Sequence, residues 1–142
     1  MNGDSMIVVD ADGAVLGRLS SSIAKRLLNG EEITVINAEK ALVSGSAERS
    51  YQEYFSAYQR GKAIKGPYYP RMPDGIFRRT VRGMLPMKTA RGKSAYRRLK
   101  VYTGVPKQIG DIKPELQKAP QRGKRYTRLG EISELLGARV NR

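Results

Sequence analysis

Positive charge is crowded into the middle of this chain, and that crowding limits what the middle can fold into by itself. Residues 60–128 hold 20 basic and 3 acidic side chains, a net of +17. Residues 1–59 hold 5 basic and 8 acidic, and residues 129–142 two of each. Apolar content runs the other way: Leu, Ile, Val and Phe number 15 in the first stretch, 11 in the second and 5 in the last. The middle is therefore about 16% strongly apolar, under the roughly 20% below which a highly charged segment struggles to fold alone. The expectation is one domain over 1–142 whose core comes from residues 1–59 and 129–142. Residues 60–128 are expected to form basic loops and an extension that need an anionic partner for order.

Missing residue types narrow the chemistry. The chain has no Cys and no His, which removes disulfides, thiolate metal sites, imidazole bases and Ser-His-Asp triads. No cofactor, metal or small-molecule substrate is expected, and no enzymatic activity. No run approaches the ~18 consecutive apolar residues of a membrane span. Met1-Asn2-Gly3-Asp4-Ser5 has neither a basic nor an apolar leader region, so a cytoplasmic location is expected and no membrane partner.

The first part has the pattern of an α/β protein. Ile7-Val8-Val9 is a β-branched run closed by a turn at Asp10-Ala11-Asp12-Gly13. Leu16, Leu19, Ile23, Leu27 and Leu28 recur at helical spacing, with Gly30 placed to end that helix. Ile33–Ile36 reads as the next strand and Ala41-Leu42-Val43 as a third. Strand, helix and strand in this order imply a parallel sheet. Ala47, Tyr51, Tyr54, Phe55 and Tyr58 mark one face of a second helix. Further on, Asp74 is placed to cap a short helix carrying Ile76, Phe77 and Val81, stopped by Pro86. Lys93–Leu99 reads as helix, Val101-Tyr102-Thr103 as a last strand, and Leu129, Ile132, Leu135 and Leu136 as a docking terminal helix.

Several fragments resemble enzyme motifs and fail on spacing. Gly92-Lys93-Ser94 ends like a phosphate-binding loop, but Met87 stands where that motif needs its first glycine. Ser22-Ile23-Ala24-Lys25 lacks the partner elements of penicillin-recognising enzymes. Gly13 to Gly17 lacks the glycine order of a dinucleotide site. Asp10 and Asp12 invite a Mg²⁺ reading, yet such turn residues usually serve their own backbone. The tyrosine stripe from Tyr51 to Tyr58 is better placed for core packing than for stacking on bases.

The basic middle resists a bland reading. Arg60, Lys62, Lys65, Arg71, Arg78, Arg79, Arg82, Lys88, Arg91, Lys93, Arg97, Arg98 and Lys100 are not balanced by carboxylates at helical spacing. Between residues 60 and 107 there are 14 cations, one carboxylate, and no Asn or Gln of the kind that reads base edges. Tyr68, Tyr69, Tyr96 and Tyr102 are interleaved. Such a field is relieved by polyphosphate, to which Arg binds in a bidentate manner. A nucleic acid, held mainly by its phosphates, is the expected partner.

The run Val81-Arg82-Gly83-Met84-Leu85-Pro86, then Gly92-Lys93, then Leu99-Lys100-Val101-Tyr102-Thr103-Gly104 resembles the ribosomal protein L13 family of the large subunit. Asp10-Ala11, Leu16-Gly17-Arg18-Leu19-Ser20, Val35–Lys40 and Ser44-Gly45 extend the likeness over residues 7–106. Gly66-Pro67 and Ile76-Phe77-Arg78-Arg79 resemble the archaeal and eukaryotic branch. The longer loop of bacterial members and the long extension of eukaryotic ones are absent, which points to an archaeal-type member. The resemblance implies a three-layer α/β/α fold around a four-stranded parallel sheet. It implies a structural, non-catalytic protein that binds large-subunit (23S-type) rRNA, enters early in subunit assembly and touches neighbouring ribosomal proteins. It places Arg82, Gly83, Lys88, Arg91 and Lys93 on the RNA face. The alternative, also carried by the resemblance, is an extra-ribosomal translational repressor that binds mRNA.

Overall fold

Alternating β-branched residues build the sheet, and leucine-spaced segments build its cover. The computed structural model describes residues 6–45, 49, 52–53, 72–107, 114–116 and 126–137. Strands β1 (Met6–Asp10), β2 (Glu32–Ile36) and β4 (Leu99–Val101) form a parallel sheet in the order β4-β2-β1. Register places Ile7 beside Ile33 and Leu99, and Val9 beside Val35 and Val101. The two-residue β5 (Glu115–Leu116) adds in parallel to β1 at Val9 and Asp10. Three full strands thus stand where four were expected, with this two-residue addition beside β1.

A second sheet was not expected. Strand β3 (Leu42–Ser44), read from sequence as a third strand at Ala41-Leu42-Val43, pairs antiparallel with β6 (Tyr126–Arg128). Only the fold brings residues so far apart together, so no local pattern announces the pair.

Helix α1 (Leu16–Leu28) buries Leu16, Leu19, Ile23, Ala24 and Leu27 against the sheet. It ends as its sequence demands: Gly30 has φ +96°, its N–H bonds to the Leu27 carbonyl, and the Glu31 N–H bonds to the Arg26 carbonyl. Helix α2 (Pro73–Arg82) starts with Pro73 at its first position and no side-chain cap. Asp74 lies inside the first turn, where a carboxylate favours the helix dipole, instead of capping from outside. Helix α3 (Ala90–Arg97) begins three residues before the stretch read as helix, because the Thr89 side chain caps it by accepting from the Gly92 N–H at 3.1 Å. Strand β4 likewise ends at Val101 rather than Thr103. In α4 (Leu129–Leu135), Leu129 and Ile132 are buried and Leu136 just beyond it is too, whereas Leu135 is 53% exposed.

The core does not stop at residue 59. Ile76, Phe77, Val81 and Ala95 are fully buried, and Leu85, Leu99 and Val101 nearly so, in one cluster with the apolar faces of α1 and α4. The expected division into core-forming ends and a loop-forming middle is therefore corrected. Burying Ile76, Phe77 and Val81 is worth roughly 1.5–3 kcal/mol each. Like charges one turn apart on α2, such as Arg78 and Arg82, cost only about 0.2–0.5 kcal/mol. Averaging composition over 60–128 hid a short, strongly amphipathic helix.

The described helices pack on the sheet face carrying Val9, Ile33, Val35, Leu99 and Val101. Val8 and Ile36 form a second small buried contact on the opposite face. The helix read at Ala47–Tyr58, which a third layer would need, lies outside the described residues apart from Arg49, Gln52 and Glu53, all helical.

Candidate nucleic-acid interface

Two turns of buried apolar residues on α2 force its cations outward. With Ile76, Phe77 and Val81 fixed in the core, Arg78, Arg79 and Arg82 are exposed. Arg79 and Arg82 fall in the last turn, where a cation also suits the carbonyl end of the helix. The Arg78 guanidinium lies 5.1 Å from the centre of the Tyr96 ring on α3, a cation–π contact that orients it. Lys88 is exposed in the turn between α2 and α3, and Lys93, Arg97 and Lys100 are exposed beyond it. Arg60, Lys62, Lys65 and Arg71 lie outside the described residues.

Gly92 is explained by packing, not by phosphate binding. A Cβ built there would lie 2.0 Å from the Pro86 carbonyl oxygen, so α3 can sit this close to the preceding turn only with glycine. The phosphate-loop likeness of Gly92-Lys93-Ser94 is thereby accounted for.

Two of the arginines are turned inward to the protein. One Arg98 guanidinium nitrogen donates to the Leu27 carbonyl at 2.5 Å, and one of Arg91 donates to the Leu28 carbonyl at 3.2 Å. These carbonyls lie at the end of α1, where the helix runs out of its own i+4 donors, and Leu27 accepts from the Gly30 N–H as well. Asn29 N–H already serves Lys25 and Arg26, so the two guanidiniums complete the terminus. Arg98 is half-buried and its Nε has no partner among the described residues. Arg91 stays exposed. Arg98 is thus a structural strut, although its residue type and neighbours place it with the binding cations in the sequence.

Elsewhere the fold spends its acidic side chains on itself. Asp10 Oδ1 accepts from the Asp12 N–H at 2.9 Å and from Asn37 Nδ2 at 3.0 Å. Asn37 adopts the left-handed region at φ +56°, and its N–H bonds to the Gly104 carbonyl at 2.9 Å. The buried Glu39 accepts from the Gly104 N–H at 3.0 Å. This network ties together the carboxyl ends of β1, β2 and β4, so the Asp10–Asp12 pair serves the turn. By contrast, among the described residues no carboxylate lies within ion-pair distance of Arg78, Arg79, Arg82, Lys88, Lys93, Arg97 or Lys100.

Asp74, Arg78, Arg97, Leu99, Lys100, Val101 and Tyr102 line an open groove of about 360 Å³. Asp74 and Tyr102 were not singled out from sequence as site residues. Asp74 carried a signal as the lone carboxylate between residues 60 and 107, and Tyr102 as one of the tyrosines interleaved with the cations.

A family model described as Ribosomal protein L13 matches residues 4–108. The protein called large ribosomal subunit protein uL13 from Archaeoglobus fulgidus is 50% identical over 96% of this chain and 91% of its own length. Its namesakes from Methanosarcina barkeri and Methanopyrus kandleri are 48% and 49% identical, over 94% and 92% of this chain and 99% and 86% of their own lengths. These relatives are archaeal, in line with the archaeal-type member expected from the branch motifs together with the missing bacterial loop and eukaryotic extension. A folded α/β scaffold with an unbalanced cationic face, matched over most of its length by such sequences, belongs to the ribosomal protein L13 family.

Proposed function

We propose that this chain is a structural constituent of the large ribosomal subunit that binds large-subunit rRNA through the cations of α2, the α2–α3 turn and α3, and that it joins the subunit early in assembly beside neighbouring ribosomal proteins. It is not an enzyme, in keeping with its family of ribosomal structural proteins. The observation that carries the binding reading is the set of exposed cations that, among the described residues, have no carboxylate partner and ride on a core-anchored surface. Arg82, Lys88 and Lys93 are the principal phosphate contacts, joined by Arg78, Arg79, Arg97 and Lys100. Arg60, Lys62, Lys65 and Arg71 are further contacts in this proposal, on the charge of their stretch alone.

Gly83 supports close approach of the RNA backbone. It has φ −64°, open to any residue, and a Cβ there would meet the nearest oxygen at an ordinary 3.5 Å. Among the described residues nothing requires glycine at this exposed helix end, whereas an incoming phosphate backbone would be held off by a side chain.

Phosphate contacts release counterions, so affinity for an rRNA fragment should fall with salt at a log–log slope of about −0.7 to −0.9 per contact. Arg82→Ala should reduce that slope by about one and weaken related RNAs alike. An unchanged slope with lost discrimination between base sequences would replace phosphate binding by base reading.

A further inference from the structure

The groove beside β4 offers more than charge. The Ile33 N–H donates to the Arg98 carbonyl at 3.1 Å and the Tyr102 N–H to the Val35 carbonyl at 2.8 Å. In a parallel strand, alternate residues point their backbone groups to opposite sides. Residues 98, 100 and 102 therefore face β2, and the N–H and C=O groups of Leu99 and Val101 face away from it. Among the described residues no strand pairs with that side, so β4 is the sheet edge. The side chains of Leu99 and Val101 are buried in the core, so their contribution to the groove is this row of backbone donors and acceptors.

We infer that this groove takes one unpaired nucleotide of RNA, with the base edge on the Leu99 and Val101 backbone and its phosphate on Arg78, Arg97 and Lys100. This rests on the rRNA-binding reading above and deepens it. A nucleobase edge presents donors and acceptors side by side, which the outward groups of one strand can match. The Arg78 guanidinium is already oriented by Tyr96, and Tyr102 stands at the end of the edge as a ring against which a base can stack. The groove's 360 Å³ falls in the range of roughly 300–1,000 Å³ typical of small-ligand sites. An acidic peptide added as a strand is the competing occupant. A three-residue edge is short for it, since strands usually run about five to six residues.

The test uses the full chain, hexa-adenylate, a short RNA duplex and a hexaglutamate peptide, followed by amide chemical shifts. Hexa-adenylate should move the Leu99 and Val101 amides. Arg78→Ala and Arg97→Ala, both exposed positions, should each weaken hexa-adenylate about fivefold to tenfold and weaken the duplex by a smaller factor. Equal movement of those amides by duplex, movement by hexaglutamate alone, or unchanged hexa-adenylate affinity in both variants would overturn the assignment. An rRNA fragment that still binds with steep salt dependence while Leu99 and Val101 stay unmoved would defeat the groove and leave the proposed function standing. Loss of all RNA binding would defeat both.

Discussion

The arginines at 78, 79 and 82 and those at 91 and 98 come from the same basic stretch, yet they do opposite work. The first three stand out from α2 with no carboxylate partner among the described residues, over a backbone fixed by Ile76, Phe77 and Val81. The other two reach back to close the carbonyl end of α1. An exposed cation costs the folded state little and gains its partner on binding; a guanidinium bonded to helix-end carbonyls stabilises the fold before any partner arrives. Charge alone therefore does not mark an RNA contact. What the guanidinium reaches decides its role.

The comparison breaks first if the exposed cations do not ride on core. Phe77→Ala should cost about 3–5 kcal/mol in urea unfolding. A loss under about 1 kcal/mol would make α2 an appendage, as the average composition of the middle suggests. Gly92→Ala comes next. Its methyl would press on the Pro86 carbonyl oxygen, part of the backbone and unable to rotate aside, so a loss of about 1–3 kcal/mol is expected from overpacking. A stabilised Gly92→Ala protein would return Gly92 to the list of candidate ligand-facing glycines. Arg98→Gln sharpens the contrast between the two arginine sets. It should destabilise by about 1–2 kcal/mol through the Leu27 carbonyl it serves. It should leave the salt slope of RNA binding unchanged, unlike Arg82→Ala. A slope lowered by about one would instead make Arg98 a phosphate ligand.

Much of this was legible along the chain. Helix α1, its closing glycine, the cores of β1 and β2 and the turn role of Asp10 follow from local patterns. So does the outward placement of Arg78, Arg79 and Arg82 once Ile76, Phe77 and Val81 are taken as one face. Lys93–Leu99 starts too late because the capping Thr89 carries no apolar periodicity and Gly92 looks like the end of a phosphate loop. The pairing of Leu42–Ser44 with Tyr126–Arg128 had no local signal at all.

By itself the sequence determined where apolar periodicity and charge lie, because these depend on residues three, four or two apart and on side-chain chemistry. It also carried enough ordered motif to place the chain in its family. Only the tertiary structure decided which cations are free to bind. Arg98 and Leu27 are 71 residues apart, and no spacing rule joins them. The same holds for the outer side of β4, unpaired among the described residues, whose outward backbone groups depend on which strand pairs on its other side. Hydrogen-bond partners across such separations are set by how helices and sheet pack, and packing is a property of the whole chain.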